Sequence, residues 1–509
     1  MYNIISFQES LRPVLPRVFG CKDYADEEQL LRRIDRILRV SGVESSFLKI
    51  SMEQFDANAA KMELDGAEVQ TGAKALERYM KHSYRALRCT VLKNIVTCGY
   101  RDMSVDLALS PLYRWFCGVD DFEVIRVPGK STLHEYATWL PMEKMEELLV
   151  TLTKALANED QARMIGLETE LNRSMVWVDS TCLKANIHFP VDWLLLRDAV
   201  RTLVANILTI RSHGLVHRII EPETFLRQIN ALSMAMTSRS NQEIDGKKNP
   251  KKARKKIFRQ MKSLCGVVMK HAVRYRTMLD ESWAETDLSR PQAEVILRGM
   301  DNVIEQLPEA QRQAHERIIG ERLVPSKDKI LSLYESDVHV VVRGKAGAAV
   351  EFGNTLFLCE TSDGFILDHE LLKDCSNGDS KWLEKHYEGL KEKSGGTLSG
   401  VAGDRGFESK ATSRMLDEDD MFNGLCPRNP QELADRLEND EVFAVALKRR
   451  GQTEGRVGIF KNMFLGGTPR AKGFKNRQLQ VAWAVLSHNL WVVARLPWVE
   501  KEKSVAKAA

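Results

Sequence analysis

The sequence predicts an α/β protein: a mixed sheet core that is preceded by an all-α N-terminal domain and interrupted by a large all-α insertion. The chain has 509 residues, more than the roughly 250–300 at which one hydrophobic core stops growing, so several domains are expected. Short apolar runs typical of buried strands occur near residues 174–181 and again between 338 and 427. Over most of the remaining chain, apolar residues recur every three or four positions, which indicates helices packed on a core.

The N-terminal region 1–150 is predicted to be helical and to bind DNA. Apolar periodicity favours helices at 27–40, 74–97 and 103–117. Thr132 and Glu135 have the spacing of a capping box, so another helix is expected to begin there. The segment 103–140 then resembles a helix-turn-helix, with Lys130 placed to contact phosphates, and two simply packed helices are the alternative.

The rest of the chain alternates between strand and helix signals. We place the first part of the core at 151–196, the helical insertion at 197–325, the rest of the core at 326–496 and a tail at 497–509. A helix at 142–156 is followed by a predicted strand within 174–181, whose apolar run ends at Asp179, and by another strand at 338–342. Next come a hairpin with strands at 355–359 and 365–367, a helix at 380–393, a strand at 398–402, a helix at 409–416, a strand at 424–427 and a last helical region to 496. Asp363-Gly364 is the turn pair of the hairpin.

Composition excludes several classes of protein. Hydrophobic residues at 43% and charged residues at 28% match ordinary globular proteins and argue against collagen, coiled-coil rods and disorder. The nine cysteines never approach CxxC spacing, and no apolar run follows a basic start, so we expect a reduced, cytoplasmic protein without structural zinc. The most apolar stretch, 479–496, is interrupted by Gln480, His488 and Arg495, which predicts a core helix and no membrane span.

The net charge of +4 hides an uneven distribution. The window 247–262 carries nine basic residues and no acid, and the window 441–477 carries nine basic and two acidic residues. Together they hold +16, which leaves −12 for the rest of the chain. Concentrated positive charge suits an extended polyanion, because each Lys or Arg that neutralises a phosphate releases counterions. Two solvated helix faces are the alternative.

Three acids, Asp179, Asp404 and Glu454, form the candidate chemical centre. The first two each follow an apolar strand, so their carboxylates emerge side by side if the strands are neighbours. Sites with two or three carboxylates suit Mg²⁺, which keeps several waters and is completed by substrate phosphate. Two such ions about 3.5–4 Å apart activate a nucleophile and stabilise the leaving oxygen in phosphoryl displacement, which is the chemistry of nucleases and strand transfer.

Glu454 lies among cations in the second basic window. On a helix that advances about 100° per residue, Arg450 and Lys461 fall within about 40° of Glu454, so all three are expected on one face. A metal-binding acid between cations fits a phosphodiester. An ordinary ion pair between Arg450 and Glu454 is the alternative for this acid alone.

Several motifs resemble one family when they are taken in order. The three acidic blocks of bacterial insertion-sequence DDE transposases with the tyrosine-arginine-glutamate-lysine signature are similar to Val178-Asp179-Ser180-Thr181, Gly403-Asp404-Arg405-Gly406-Phe407 and Arg450-x3-Glu454-x6-Lys461. Further similarity lies in Asn186-Ile187-His188-Phe189-Pro190-x-Asp192, Val342-Arg343-Gly344-Lys345, Glu351-Phe352-Gly353 and Asn489-Leu490. The resemblance covers about 174–196 and 323–496, and its specificity comes from the number and order of the motifs.

The resemblance implies a ribonuclease-H-like catalytic core in which Asp179, Asp404 and Glu454 hold Mg²⁺, with Mn²⁺ as a substitute. It also implies a DNA transposase that cleaves the ends of its own element and joins them to target DNA. The implied partners are the terminal inverted repeats, the target DNA and a second copy of the chain in a homodimer on paired ends. Such a protein is expected in the bacterial cytoplasm, associated with the nucleoid through DNA.

The same resemblance assigns DNA contacts. Arg450 and Lys461 are implied to hold DNA near the cleavage site. Arg405 either orients the neighbouring Asp404 or contacts DNA. One departure is Leu447, which stands where the family has its tyrosine, so that phenol contact to DNA is absent or supplied elsewhere.

Two alternatives to a transposase stay open. One is a stand-alone, structure-selective DNA nuclease of the same fold. The other is a DNA-binding repressor of transposition that has lost catalysis, for which the missing tyrosine is a hint. The three retained acids argue against the repressor.

The first basic window predicts a second DNA contact, for which the family motif is silent. Pro250 ends any preceding helix, so a new helix is expected to start at about 251. We expect its basic side chains to grip the DNA backbone without reading bases: Lys251, Lys252, Lys255, Lys256 and Arg259.

Overall fold

The structure is a computed structural model that describes residues 14–64, 72–119, 124–244, 250–345, 348–374, 378–468 and 471–499. The chain divides into two compact units. The first unit comprises the described parts of Met1–Leu183, Thr355–Leu372 and Ser376–Ala509, and the second comprises those of Lys184–Asn354 and Lys373–Cys375. The protein is therefore a helix-rich α/β chain in which the second unit interrupts the sequence of the first.

The N-terminal part of the first unit is all helical. Its helices are α1 (Lys22–Val40), α2 (Val43–Leu64), α3 (Ala73–Val96), α4 (Tyr100–Leu109), α5 (Pro111–Cys117), α6 (Lys130–Tyr136), α7 (Met142–Ala157) and α8 (Glu159–Ile165). A fully buried Arg88 ties α3 to three of the others, because it bonds Asp35 at 2.7 Å, Glu44 at 2.6 Å and the carbonyl of Phe116 at 2.9 Å. A buried charge is stable only when it is paired and hydrogen-bonded in this way.

One mixed sheet of six strands links the sequence-distant segments. The strands are β1 (Met175–Lys184), β2 (His339–Lys345), β3 (Ala348–Thr361), β4 (Ile366–Leu371), β5 (Gly400–Gly403) and β6 (Phe422–Leu425). Their order is β2-β3-β1-β5-β6, and β4 pairs with β3. β5 is parallel to both β1 and β6, whereas β3 is antiparallel to β2 and β4.

The described C-terminal part of the first unit contributes further helices, most of which pack on β4, β5 or β6 of the same unit. They are α13 (Asp379–Lys393), α14 (Lys410–Glu418), α15 (Pro430–Asn439), α16 (Glu441–Ile459) and α17 (Phe474–Ala494). Strand side chains alternate between faces: Phe357 and Cys359 of β3 join a cluster with Leu383 of α13, whereas Leu356 and Leu358 join the cluster that contains much of α17.

The second unit is built around four long helices: α9 (Asp192–Ser212), α10 (Pro222–Ile244), α11 (Pro250–Ser282) and α12 (Arg290–Ile318). Each packs against the other three or against two of them, around a separate apolar core that includes Leu203, Phe258 and Tyr275. The unit also holds the last residue of β1, all of β2 and the first half of β3. The predicted insertion, 197–325, lies wholly within this unit.

Several local predictions are confirmed and others are wrong. The hairpin around Asp363-Gly364 is present, with Gly364 at a φ of 87°. The segment 103–117 forms two helices, because Ser110 caps the amide of Tyr113 and Pro111 starts a new helix. Helix α6 begins at Lys130 with Gly129 as its N-cap, so the expected capping box of Thr132 is not formed.

Strand β1 does not end at Asp179, as the sequence suggested, but continues to Lys184. Its partner β5 ends at Gly403, opposite Val178, so Asp179 is the first residue of β1 beyond the parallel pairing.

Helix α2 was not expected, since its polar and apolar residues do not form one stripe.

Some predicted features lie outside the described residues: Lys247, Lys248, Arg470 and the tail from 500 to 509. None of the described helices combines the length and apolar character needed to cross a bilayer.

Candidate active site

The parallel pairing of β1 and β5 places two of the predicted acids at neighbouring positions. Val178 is the register partner of Gly403, and Asp179 and Asp404 come directly after them. Gly403 permits this close approach, because a Cβ there would lie 2.8 Å from the Val178 side chain and 3.1 Å from that of Leu425. The carboxyl ends of paired parallel strands thus meet at one edge, where loops commonly carry function.

Asp179 lies in the electrostatic field of the other predicted site residues. Partial burial is the largest cause that raises its pKa, and the nearby charges of Asp404 and Glu454 raise it further, to about 6. A hydrogen bond from the Ser180 amide at 2.8 Å and the charge of Arg450 oppose this shift. The charges of Asp404, Glu454 and Arg450 therefore all act on the Asp179 carboxylate.

Asp404 sits in a tight turn that also brings in a fourth acid. Its Oδ1 accepts a hydrogen bond from the Gly406 amide at 2.8 Å. A Cβ at Gly406 would lie 2.9 Å from this oxygen and 2.5 Å from Oδ2 of Asp379, the first residue of α13. Any side chain at 406 would therefore displace one of the two carboxylates.

Glu454 and Arg450 occupy successive turns of α16 and form an ion pair with each other. The side chain of Glu454 is 57% exposed and that of Arg450 is 29% exposed. Helix α16 faces the side of β1 that carries Asp179, because Trp177, two residues earlier, donates from its indole to the carbonyl of Ala446 at 3.1 Å. Glu454 thus forms the ordinary ion pair with Arg450, on a helix that packs on the Asp179 side of β1.

Lys461 is near the site but is oriented differently from the expectation. The α-helix ends at Ile459 and continues as a π-helical turn, Phe460–Phe464, which changes the angular spacing that placed Lys461 on the face of Glu454. Its ammonium donates to Oγ1 of Thr181 at 3.1 Å and to the carbonyl of Cys182 at 2.8 Å, both on β1.

The donor chemistry at Asp179 and Asp404 fits Mg²⁺. Both offer hard carboxylate oxygens, and each has one oxygen oriented by a backbone amide. Within the described part of the chain, no three His, Cys, Asp or Glu side chains are grouped closely enough to hold a metal together. Protein Mg²⁺ sites commonly use only one or two carboxylates, with waters and substrate phosphate in the other positions. Asp179 and Asp404 therefore fit a two-carboxylate site, while Glu454 is paired with Arg450.

The other predicted DNA contacts in the first unit lie at the surface. Arg405 is exposed directly after Asp404, and its carbonyl accepts from Nε of Arg428 at 3.1 Å. Lys130 is exposed at the start of α6, a helix of seven residues. The helix-turn-helix at 103–140 stays a prediction.

The basic helix of the second unit is present, and its cations differ in their surroundings. Helix α11 starts at Pro250, as expected. Lys251 and Lys255 both pair with Glu321, at 3.5 Å and 2.7 Å. The remaining predicted contacts of this helix lie at exposed positions: Lys252, Lys256 and Arg259.

Sequence reasoning missed several residues around the site, among them Asp379, Glu360 and Arg449. Asp379 starts a helix, which is an ordinary position for an acid. Glu360 and Arg449 carry no motif, and only their burial and mutual contact single them out. No pattern in one sequence reports that contact.

Comparison of the chain with protein-family models, with curated proteins and with solved structures finds no match.

Proposed function

We propose that this protein is a DNA transposase of the DDE type, with a ribonuclease-H-like core that cleaves element ends and transfers them to target DNA. One observation carries the proposal: Asp179 and Asp404 follow paired parallel strands, with Glu454 and Arg450 within electrostatic reach. Asp179 and Asp404 come from motifs 225 residues apart in sequence, and their adjacent positions support a common site better than either motif does alone.

In this proposal Asp179 and Asp404 hold Mg²⁺, and Mn²⁺ can replace it. The bound ion would activate the attacking oxygen and stabilise the leaving oxygen. Arg450 binds the scissile phosphodiester, because a guanidinium matches phosphate geometry. Once Arg450 bonds phosphate, its ion pair with Glu454 is weakened, and that carboxylate is released toward Asp179 and Asp404.

The test uses the DNA that flanks the coding region, with its terminal inverted repeats, and Mg²⁺. We expect nicking at the repeat ends and joined products with a target plasmid. Asp404→Asn should lower the rate by roughly 10²–10³-fold, because an electrostatic centre of the transition state is lost, while DNA binding is kept. Asp417→Asn on α14, an exposed position with the same charge change, is the matched control.

Two other functions have distinct outcomes in this assay. Free ends without joined products would favour a stand-alone nuclease of the same fold. Binding without cleavage in the wild type, unchanged in Asp404→Asn, would favour a non-catalytic repressor. Either result would contradict the transposase.

A further inference from the structure

A buried polar cluster joins α16 to the end of β3. Nη1 of Arg449 lies 3.0 Å from Oε1 of Glu360 and donates to Oγ1 of Thr453 at 2.9 Å. The Thr453 hydroxyl in turn donates to the same Glu360 oxygen at 2.7 Å. Glu360 is 5% exposed and Thr453 is 2% exposed, so the hydrogen bonds are shielded from water. We call Arg449, Glu360 and Thr453 the α16 clamp.

The remaining donors of Arg449 extend the clamp along the hairpin. Nη2 donates to the carbonyls of Thr361 and Ser362, each at 3.0 Å. The guanidinium also lies over the ring of Trp177, 4.6 Å from its centroid. Arg449 therefore contacts both β3 and β1 with a rigid, planar group, which a lysine cannot reproduce.

The apolar packing of α16 is sparse. Its fully buried residues are Phe443, Ala446 and Thr453, and one of these is already part of the clamp. Glycines occupy three positions of its C-terminal half, each with open space where a Cβ would be: Gly451, Gly455 and Gly458. The directional hydrogen bonds of the clamp therefore restrain that half of the helix, together with Val457, which packs against the core, and Arg456, which donates to the carbonyl of Ser362 at 3.2 Å.

The clamp residues directly precede the proposed functional residues in sequence. Arg450 follows Arg449, and Glu454 follows Thr453. Successive residues differ by about 100° around a helix, so fixing one pair fixes the direction of the other.

We propose that the α16 clamp is a positioning device, which sets the rotation of α16 so that Arg450 and Glu454 face Asp179. The catalytic consequence rests on the proposed function, whereas the rotation itself is a property of the free protein. Arg449, Glu360 and Thr453 act through their neighbours and contact no substrate.

The kinetic test compares Thr453→Val with Thr453→Ser. Valine has nearly the shape of threonine but lacks the hydroxyl that bonds Glu360 and Arg449, whereas serine keeps it. We expect Thr453→Val to lower kcat by about 10²-fold, as a small misplacement of reacting groups does, with KM for DNA little changed. Thr453→Ser should retain most of the wild-type kcat. Arg449→Lys, which keeps the charge and loses the planar group, should behave like Thr453→Val.

The structural test needs no DNA. Nitroxide labels on cysteines placed at Gln452 of α16 and Lys410 of α14, both exposed, report the orientation of α16 by electron spin resonance distance measurement. The accessible cysteines, including Cys21, are first replaced by serine. We expect one narrow distance distribution in the wild type and in Thr453→Ser, and a shifted or broadened one in Thr453→Val and Arg449→Lys.

The two tests separate this inference from the proposed function. An unchanged distance distribution in folded Thr453→Val and Arg449→Lys would overturn the inference, whatever the activity. A changed distribution with wild-type kcat would also overturn it, because rotation would not matter for catalysis. If the wild type cleaves no DNA, the proposed function fails and the distances alone decide whether the clamp orients α16.

Discussion

At the scale of single residues, the charge state of Asp179 reports how closely the site residues approach one another. Its pKa is raised to about 6, first by burial and then by the charges of Asp404 and Glu454, while Arg450 lowers it. The two acidic neighbours thus raise this pKa and the basic neighbour lowers it. Substitutions of the neighbours can therefore test the geometry without any catalytic assay.

We predict that Asp404→Asn lowers the pKa of Asp179 in metal-free protein, because a like charge is removed. Arg450→Gln should raise it, because a compensating positive charge is lost. The measurement is a carboxyl ¹³C titration of aspartate-labelled protein, assigned with Asp179→Asn. Asp417→Asn should leave the titration unchanged. If Asp404→Asn does the same, the two carboxylates are not neighbours.

Sequence motifs identify some of the residues at the candidate site and miss others. The acids Asp179 and Asp404 were expected because each ends a short apolar run. Asp379 was not, since it lies 25 residues before Asp404 at an ordinary helix start. Its position beside Gly406 follows from how α13 packs on the sheet.

At the scale of elements, α13 is held on β4 by a charged cluster. His386 of α13 bonds Asp368 at 2.6 Å and Glu370 at 2.7 Å, both on β4, and stacks on Phe357. Burial alone would lower the pKa of His386, but its hydrogen bonds to the two carboxylates raise it to about 9. The other charged groups facing this cluster are Lys393, which pairs with Asp368, and Lys385, which pairs with Glu370.

This cluster predicts a pH dependence of stability. The pKa of His386 in the folded protein exceeds its ordinary value of 6.5, so the histidine stabilises the fold fully below about pH 6.5. This contribution is lost as the pH rises through about 9. Asp368, with a pKa of about 2, contributes above its ordinary pKa and loses this as pH falls toward 2. We predict that His386→Gln costs a few kcal/mol, on the order of the pKa shift, near pH 6.5.

The measurement is urea unfolding of wild type and His386→Gln across this pH range. The difference in unfolding free energy should fade as the pH approaches about 9. His188→Gln, an exposed histidine, is the control and should show no such difference. A constant difference at all pH values would show that His386 stabilises only by packing.

Helix α11 offers a matched pair of charge substitutions. Lys252 and Lys256 are exposed, whereas Lys251 and Lys255 share Glu321. We predict that Lys252→Gln with Lys256→Gln weakens binding to all duplexes and flattens the log–log salt slope by roughly 0.9 for each phosphate that is no longer neutralised. The double change at Lys251 and Lys255 should have a smaller effect, since those cations are already partly neutralised.

Fluorescence anisotropy of labelled duplex DNA at several salt concentrations measures the salt dependence of binding for each double variant. Glu321→Gln should steepen the slope by releasing the two paired lysines for phosphate. Equal slopes in the wild type and in both double variants would show that α11 is only a solvated face.

At the scale of the whole molecule, each compact unit has its own apolar core. Leu92 is fully buried in the first unit and Leu203 in the second. Separate cores often unfold as separate cooperative transitions, so a single melting temperature is not expected to describe this chain.

We predict that Leu203→Ala lowers the stability of the second unit by about 2–5 kcal/mol and leaves the other transition in place. Leu92→Ala should do the converse for the first unit. Differential scanning calorimetry of both variants checks this. A single transition that both substitutions shift equally would mean that the units unfold together.

The sequence by itself determined most of the secondary structure and the order of strands and helices along the chain, and it named the three acids and Arg450 as candidate site residues. These features depend on local periodicity, on turn residues such as Asp363-Gly364 and on motif spacing, which are all local properties of the sequence. The helices of the second unit were anticipated for the same reason.

Only the tertiary structure decided which residues meet. The parallel register of β1 and β5 puts Asp404 beside Asp179 although the two lie 225 residues apart, and no local pattern encodes a register between distant strands. The π-helical turn sends Lys461 to β1, and Glu321 neutralises part of the basic surface of α11. These outcomes depend on packing, burial and long-range charge, because each is a property of the three-dimensional arrangement and not of a segment.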